Sequence, residues 1–117
     1  MINKRRFGII GEKIAKDYLS HKGYHIIATN FYTRNGEIDI VAKKENYIDF
    51  IEVKTRTSNL YGTPASAVNK TKIKHMTDAA RVFLRLNKFN KYQIRFDVIE
   101  IFIKDGKCKI NHIKQII

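Results

Sequence analysis

Two strand-like apolar segments that carry carboxylates constrain this chain more than any other feature. Gly36-Glu37-Ile38-Asp39 opens the first, and Ile51-Glu52-Val53-Lys54 closes the second. Five of the 11 acids (Glu37, Asp39, Glu45, Asp49, Glu52) fall in this stretch, in a chain with 23 Lys and Arg. An unpaired carboxylate is expensive to place on a buried strand. Carboxylates held close together also raise one another's pKa unless a cation relieves them. A basic chain that gathers acids in one place, with a lysine among them, points to a metal-dependent site acting on a polyanion.

The surrounding pattern gives these segments a frame. Phe7, Ile10, Ile14, Tyr18 and Leu19 recur at helical spacing and predict a helix from about Phe7 to Lys22, stopped at Gly23. Glu12 lies toward its flank. Tyr24 to Asn30 reads as a strand, and Arg34-Asn35-Gly36 as the turn that follows. From Glu37 to Lys43 the residues alternate, with Ile38, Ile40 and Ala42 on one face and Glu37, Asp39 and Val41 on the other. After a turn near Lys44 to Asn46, Tyr47 to Lys54 places Ile48, Phe50, Glu52 and Lys54 on one face. Glu52 and Lys54 are then neighbours, and one hairpin register brings Asp39 to the same face. Thr55 to Ala65, with the only proline, Pro64, reads as a surface loop beside the site. A second helix begins between Ser66 and Lys72, with Ile73, Met76, Ala80, Phe83 and Leu84 as its apolar stripe. Gln93 to Ile103 is a fourth strand, and Lys107 to Ile116 adds a short fifth or a terminal turn. The expected fold is α/β: a mixed central sheet flanked by helices, in the order α-β-β-β-α-β, as a single domain over 1–117.

Charge narrows the partners. A formal +12 and a pI near 9.9 call for an anionic partner, nucleic acid first. No apolar run approaches the roughly 18 residues of a membrane span, so no membrane partner is expected. Lys4-Arg5-Arg6 is not followed by an apolar leader core, and cytoplasmic localisation is the expectation. Cys108 is the only cysteine, which leaves no internal disulfide and no thiolate zinc site.

For Asp39, Glu52 and Lys54 two readings stand. One is a hydrolytic centre in which carboxylates from adjacent strands hold Mg²⁺, a hard cation that takes oxygen ligands, and Lys54 assists electrostatically. The other is a structural Glu–Lys pair on a solvated face. Context favours the first, because Ile48 to Arg56 is apolar enough to be central in a sheet.

Glu12 on a first helix, Gly36-Glu37-Ile38-Asp39, and Phe50-Ile51-Glu52-Val53-Lys54-Thr55-Arg56 together resemble the PD-(D/E)xK nuclease pattern, and are similar to the archaeal Holliday-junction resolvases. The likeness to the small bacterial YraN-like family is closer. Tyr61-Gly62-Thr63-Pro64, Ala67-Val68 with Lys72, Ala80-Arg81 and Arg95-Phe96-Asp97-Val98 stand where that family has them, and the likeness covers roughly Gly8 to Phe102. The resemblance implies a restriction-endonuclease-like fold and an endonuclease dependent on Mg²⁺ or Mn²⁺, with DNA as the expected partner and branched DNA as one substrate class. It implies Asp39, Glu52 and Lys54 as catalytic residues. Glu12, Asp39, Glu52 and the Val53 carbonyl would be metal ligands. Ile38 stands where the pattern often has proline, a dispensable position.

Other positions follow less directly. Glu37 is a secondary acid or a hairpin-end charge. Arg56, Lys72, Lys70, Arg5 and Arg6 are candidate phosphate contacts. Tyr61 could stack on an unpaired base or simply pack. Arg95 and Asp97 share a strand face and read as a structural ion pair, and the four histidines as surface or satisfied core residues. A homodimer matches the twofold symmetry of resolvase-like members. The alternatives are a non-catalytic binding module and a partner-dependent subunit on the same fold.

Overall fold

A computed structural model describes residues 4–57, 70–89 and 91–117. Helix α1 (Lys4–His21) leads into strands β1 (His25–Thr33), β2 (Gly36–Lys44) and β3 (Tyr47–Arg56). Helix α2 (Lys70–Asn87) then precedes β4 (Gln93–Lys104) and β5 (Lys107–Ile113). The expected α/β order therefore stands, with the fifth strand realised. The five strands form one sheet in chain order. β3 and β4 pair in parallel, and the other neighbours are antiparallel, so the sheet is mixed. The parallel step follows from α2, because a crossover long enough for a helix brings the chain back in the same direction.

Each helix covers one face. Ala15 and Leu19 of α1 pack on Ile40, Ala42, Ile51, Ile99 and Ile101. On the opposite face Met76, Ala79, Ala80 and Phe83 of α2 pack on Val41, Ile48 and Phe50. β3 is covered on both sides, and its first six residues are buried. Two glycines set these approaches. A Cβ at Gly11 would run into the Thr55 side chain, so α1 can lie against the end of β3 only with glycine there. At Gly36 a Cβ would stand 3.0 Å from the His75 Cβ, where α2 meets the hairpin tip.

Several expectations shift. Helix α1 begins three residues earlier than its apolar pattern, at Lys4, and ends at His21. Strand β1 extends three residues beyond Asn30, while Tyr24, its expected first residue, is buried before it and bonds Tyr47 through the hydroxyls at 3.1 Å. Thr55 and Arg56 belong to β3 rather than to a loop. The remainder of that loop, with Tyr61-Gly62-Thr63-Pro64 and Ala67-Val68, lies outside the described residues, as does any start of the second helix before Lys70.

The face assignment of Ile38 is corrected. Ile38 packs on the α2 side with Val41, while Ile40 and Ala42 lie on the α1 side. Alternation cannot put residues three apart on one face, so β2 is kinked between them. The partner strand carries the cause: Asn30 has φ +51, and the register passes from Thr29↔Ile40 to Phe31↔Ile38 without it. A left-handed residue turns the strand about its own axis, and asparagine tolerates that conformation better than most. The residue that Asn30 faces across this break is Asp39.

Candidate functional site

Asp39 owes its setting to an interrupted ladder. β2 and β3 pair from Lys44↔Tyr47 to Ile40↔Ile51 and no further. One more step along this register would put Asp39 directly opposite Glu52. Two carboxylates facing each other across a sheet repel, and the strands part there. The Val53 N–H donates instead to Asp39 Oδ2 at 2.8 Å. The gap so made is lined by carboxylate oxygens.

Four acids converge on it. Ligand oxygens of Glu12, Glu37 and Asp39 lie within 4.8 Å of one another. Glu12 arrives from α1, held in place by the contact between Gly11 and Thr55. Glu37, which alternation left between an acid role and a solvent role, joins this cluster because of the kink at Asp39. Glu52, buried on β3, sits between two ammonium groups: Lys54 at 3.3 Å and Lys72, from α2, at 3.1 Å. The proximity of Glu52 and Lys54 expected from period-two spacing is present, and α2 adds Lys72.

The electrostatics record the crowding. Burial and then the charge of Glu52 push the Asp39 carboxyl up from 3.8 to about 8, with Glu12 and Glu37 adding to the rise and the Val53 N–H opposing it. Glu12 is also raised, by burial and then Glu37, partly offset by Asn30 and Lys16. Such a set of hard oxygen donors, each raising its neighbour, is chemically suited to a divalent cation such as Mg²⁺ or Mn²⁺. The acids open onto a cleft of about 960 Å³ whose walls include Glu12, Asp39, Glu52, Val53, Lys54 and Arg56.

The expected phosphate contacts divide. Phe7 and Gly8 also line the cleft, and the exposed Arg5 and Arg6 directly precede them on α1. Lys70, exposed, is the first described residue of α2, the helix that delivers Lys72. Basic residues of α1 and α2 thus stand near the acids, and such a cluster favours anions. Arg56 is different. Its Nε lies 2.9 Å from Glu100 Oε2, a buried acid on β4. Beside this ion pair, Asn111 Nδ2 donates a hydrogen bond to Glu100 Oε1 at 3.4 Å. Glu100 escaped the sequence reading, yet its signal was the one that marked Glu52, an acid in an otherwise apolar strand.

A second buried polar group lies across the sheet. Asp97 Oδ2 bonds His112 Nε2 at 2.7 Å, and its Oδ1 accepts the Gln115 N–H at 2.9 Å. Tyr18 of α1 bonds His112 Nδ1 at 3.0 Å. The expected Arg95–Asp97 pair is therefore replaced: Asp97 pairs with His112, and Arg95 stacks over the Tyr47 ring at 3.9 Å. Asp49 completes the group, fully buried, with no N–H or O–H donor for either oxygen among the described residues. Burial, and then Asp97, push its carboxyl up to about 10. Asp49 therefore holds its proton and can donate it to Asp97. Burial acts to raise Asp97 as well, but bonds from His112, Asp49 and the Gln115 N–H outweigh it, and Asp97 is held below the usual carboxylate range.

Among known proteins, the model of the uncharacterised protein family UPF0102 matches residues 11–101. The chain is 45% identical to a UPF0102 protein of Caldanaerobacter subterraneus subsp. tengcongensis over 96% of its own length and 94% of the relative's. It is 46% identical to one of Syntrophomonas wolfei over 93% and 95%, and 47% identical to one of Caldicellulosiruptor bescii over 97% and 98%. Among the described residues no helix is long and apolar enough to cross a membrane.

Proposed function

The chain belongs to the UPF0102 family, the YraN-like family of the PD-(D/E)xK nuclease-like superfamily, and on that premise we propose that it is a nucleic-acid-binding, Mg²⁺- or Mn²⁺-dependent endonuclease. DNA is the expected polymer, with branched forms such as Holliday junctions among its substrates, and a twofold homodimer would match such a junction. The observation that carries this reading is the parting of β2 from β3 at Asp39, with three further acids and Lys54 around the gap. A protein that only gripped phosphates would gain nothing from acids beside its ligand.

The carboxylates of Glu12, Asp39 and Glu52, with the Val53 carbonyl, would hold the cation, and Glu37 stands close enough to steady that set. Bound there, it would lower the pKa of a coordinated water and screen charge on the phosphate. The chain's own residues do the rest. Lys54, paired with Glu52, would orient the attacking water or stabilise the charge developing on the phosphoryl oxygens. Arg5, Arg6, Lys70 and Lys72 supply affinity for the backbone without reading sequence. Glu100 holds Arg56 at the cleft wall, where its remaining guanidinium nitrogens can meet a phosphate.

One observation favours a second reading. Two lysines already neutralise Glu52, as they would in a structural ion-pair network of a non-catalytic binding module. Lys54→Ala separates the two. The nuclease reading expects this variant to cut forked DNA about 100-fold more slowly, the usual scale for losing one preorganised electrostatic group. Its DNA affinity should stay within a few-fold and keep a steep decline with salt. An unchanged cleavage rate would remove Lys54 from the chemistry, and a flat salt dependence would contradict the phosphate contacts.

A further inference from the structure

Among the described residues Tyr32 is the tyrosine left in water. It is 69% exposed on β1 and makes no ring, cation or hydrogen-bond contact among the described residues. The tyrosines at 18, 24, 47 and 92, by contrast, each pack against another ring. Its place in the register is specific: Tyr32 pairs with Glu37 across the β1–β2 ladder. Directly opposed residues of an antiparallel pair project from the same face with their Cβ atoms close together. Glu37 is one of the three acids whose oxygens cluster at the cleft. The Tyr32 side chain therefore projects from the same sheet face as Glu37, at the edge of the acid cluster that adjoins the cleft. Ile9, one turn before Glu12 on α1, is 57% exposed and adds apolar surface on the helix that borders the cleft.

We infer that Tyr32 is a base-stacking residue that selects nucleic acid with an unpaired nucleotide next to the phosphate held at the cleft. This rests on the nucleic-acid reading above and narrows it to a substrate class. Inside a duplex each base is stacked and paired, so a side chain beside the backbone finds only sugar and phosphate. In a single strand, a flap or a junction the base is free to turn outward and lie on an aromatic face. Any base offers such a face, so the contact selects structure without selecting sequence. The chain's net charge of +12 supplies the accompanying attraction for the backbone.

Two DNA probes of matched sequence test this, with Ca²⁺ in place of Mg²⁺. One is a blunt duplex; the other is a fork carrying 2-aminopurine in its unpaired arm. Wild type should bind the fork more tightly and quench the 2-aminopurine as it stacks. Tyr32→Ser should lose about tenfold in affinity for the fork, the scale of one stacked base. Its quenching should vanish, with duplex affinity within about twofold. Tyr32→Phe, which keeps the ring, should behave as wild type. A Tyr32→Ser protein that binds the fork undiminished, or loses both probes equally, overturns the stacking role and leaves the nuclease reading standing. A wild type that binds neither probe overturns both.

Discussion

Asp39→Asn is expected to make the metal-free protein more stable and to abolish its response to divalent cations. The carboxyl of Asp39 is raised from 3.8 to about 8 by burial and by Glu52. A group whose folded pKa is raised contributes its stability in full below the unfolded value, near pH 4, and loses it as pH climbs through about 8. Wild type without metal should therefore weaken steadily across that window. Asparagine keeps an oxygen for the Val53 N–H and carries no charge to repel Glu12, Glu37 and Glu52. Its stability curve should be flatter between pH 4 and 8. At neutral pH its gain should be about 1–3 kcal/mol, several degrees in melting temperature, below the roughly 4 kcal/mol that about three pKa units would give at about 1.4 kcal/mol each.

Divalent metal reverses the comparison. Wild type should gain about 2.7 kcal/mol at a Mg²⁺ or Mn²⁺ concentration 100 times its Kd, because only the folded state holds the ion. The variant should show no such gain. Calorimetric melts with and without metal measure both effects. An Asp39→Asn protein that still responds to metal would remove Asp39 from the ligand set. One less stable than wild type without metal would mean that the four acids are already relieved by something else.

The second large effect lies away from the cleft. Asp97→Ala should destabilise the fold by about 3–5 kcal/mol, as when one partner of a buried pair is removed. It strands His112, the Gln115 N–H and the proton of Asp49 together. The depressed carboxyl of Asp97 adds a pH signature. Its contribution is present above the unfolded pKa, near 4, and is lost as pH falls through its lower folded value. Asp49→Asn is the contrasting variant. Asp49 is raised to about 10, so it destabilises the fold increasingly from pH 4 toward 10. An amide can donate to Asp97 as the protonated acid does. Asp49→Asn should therefore match or exceed wild type at pH 8, and denaturant melts at pH 5 and 8 read the difference. Equal damage from both variants would show that Asp49 is ionised in the native protein.

Period-two spacing was enough to place Glu52 beside Lys54, and the scarcity of acids was enough to single out Asp39. The resemblance added Glu12, which spacing alone could not bring to a strand gap. Three particulars were out of reach for physical reasons. Ile38 changes face because Asn30, on the neighbouring strand, adopts a left-handed conformation, and nothing local to Ile38 signals this. Glu37 was already a candidate beside Asp39, but its approach to Glu12 depends on the same kink. Asp49, Asp97 and His112 meet only because β3 and β4 run parallel and β5 folds back on β4, and that is a property of the topology. Glu100 was legible in principle, by the argument that an acid in an apolar strand needs a partner, and Arg56 is that partner.

The most direct measurement is cleavage of a forked DNA by purified wild type and Glu52→Gln, in Mg²⁺ and in EDTA. Glutamine preserves the shape of Glu52 while removing the charge that would hold a cation and that now binds Lys54 and Lys72. Wild type should cleave in Mg²⁺ and not in EDTA, and the variant should lose at least about 100-fold. Cleavage that persists in EDTA, or that survives Glu52→Gln at the wild-type rate, would contradict a metal-dependent nuclease centred on Asp39 and Glu52.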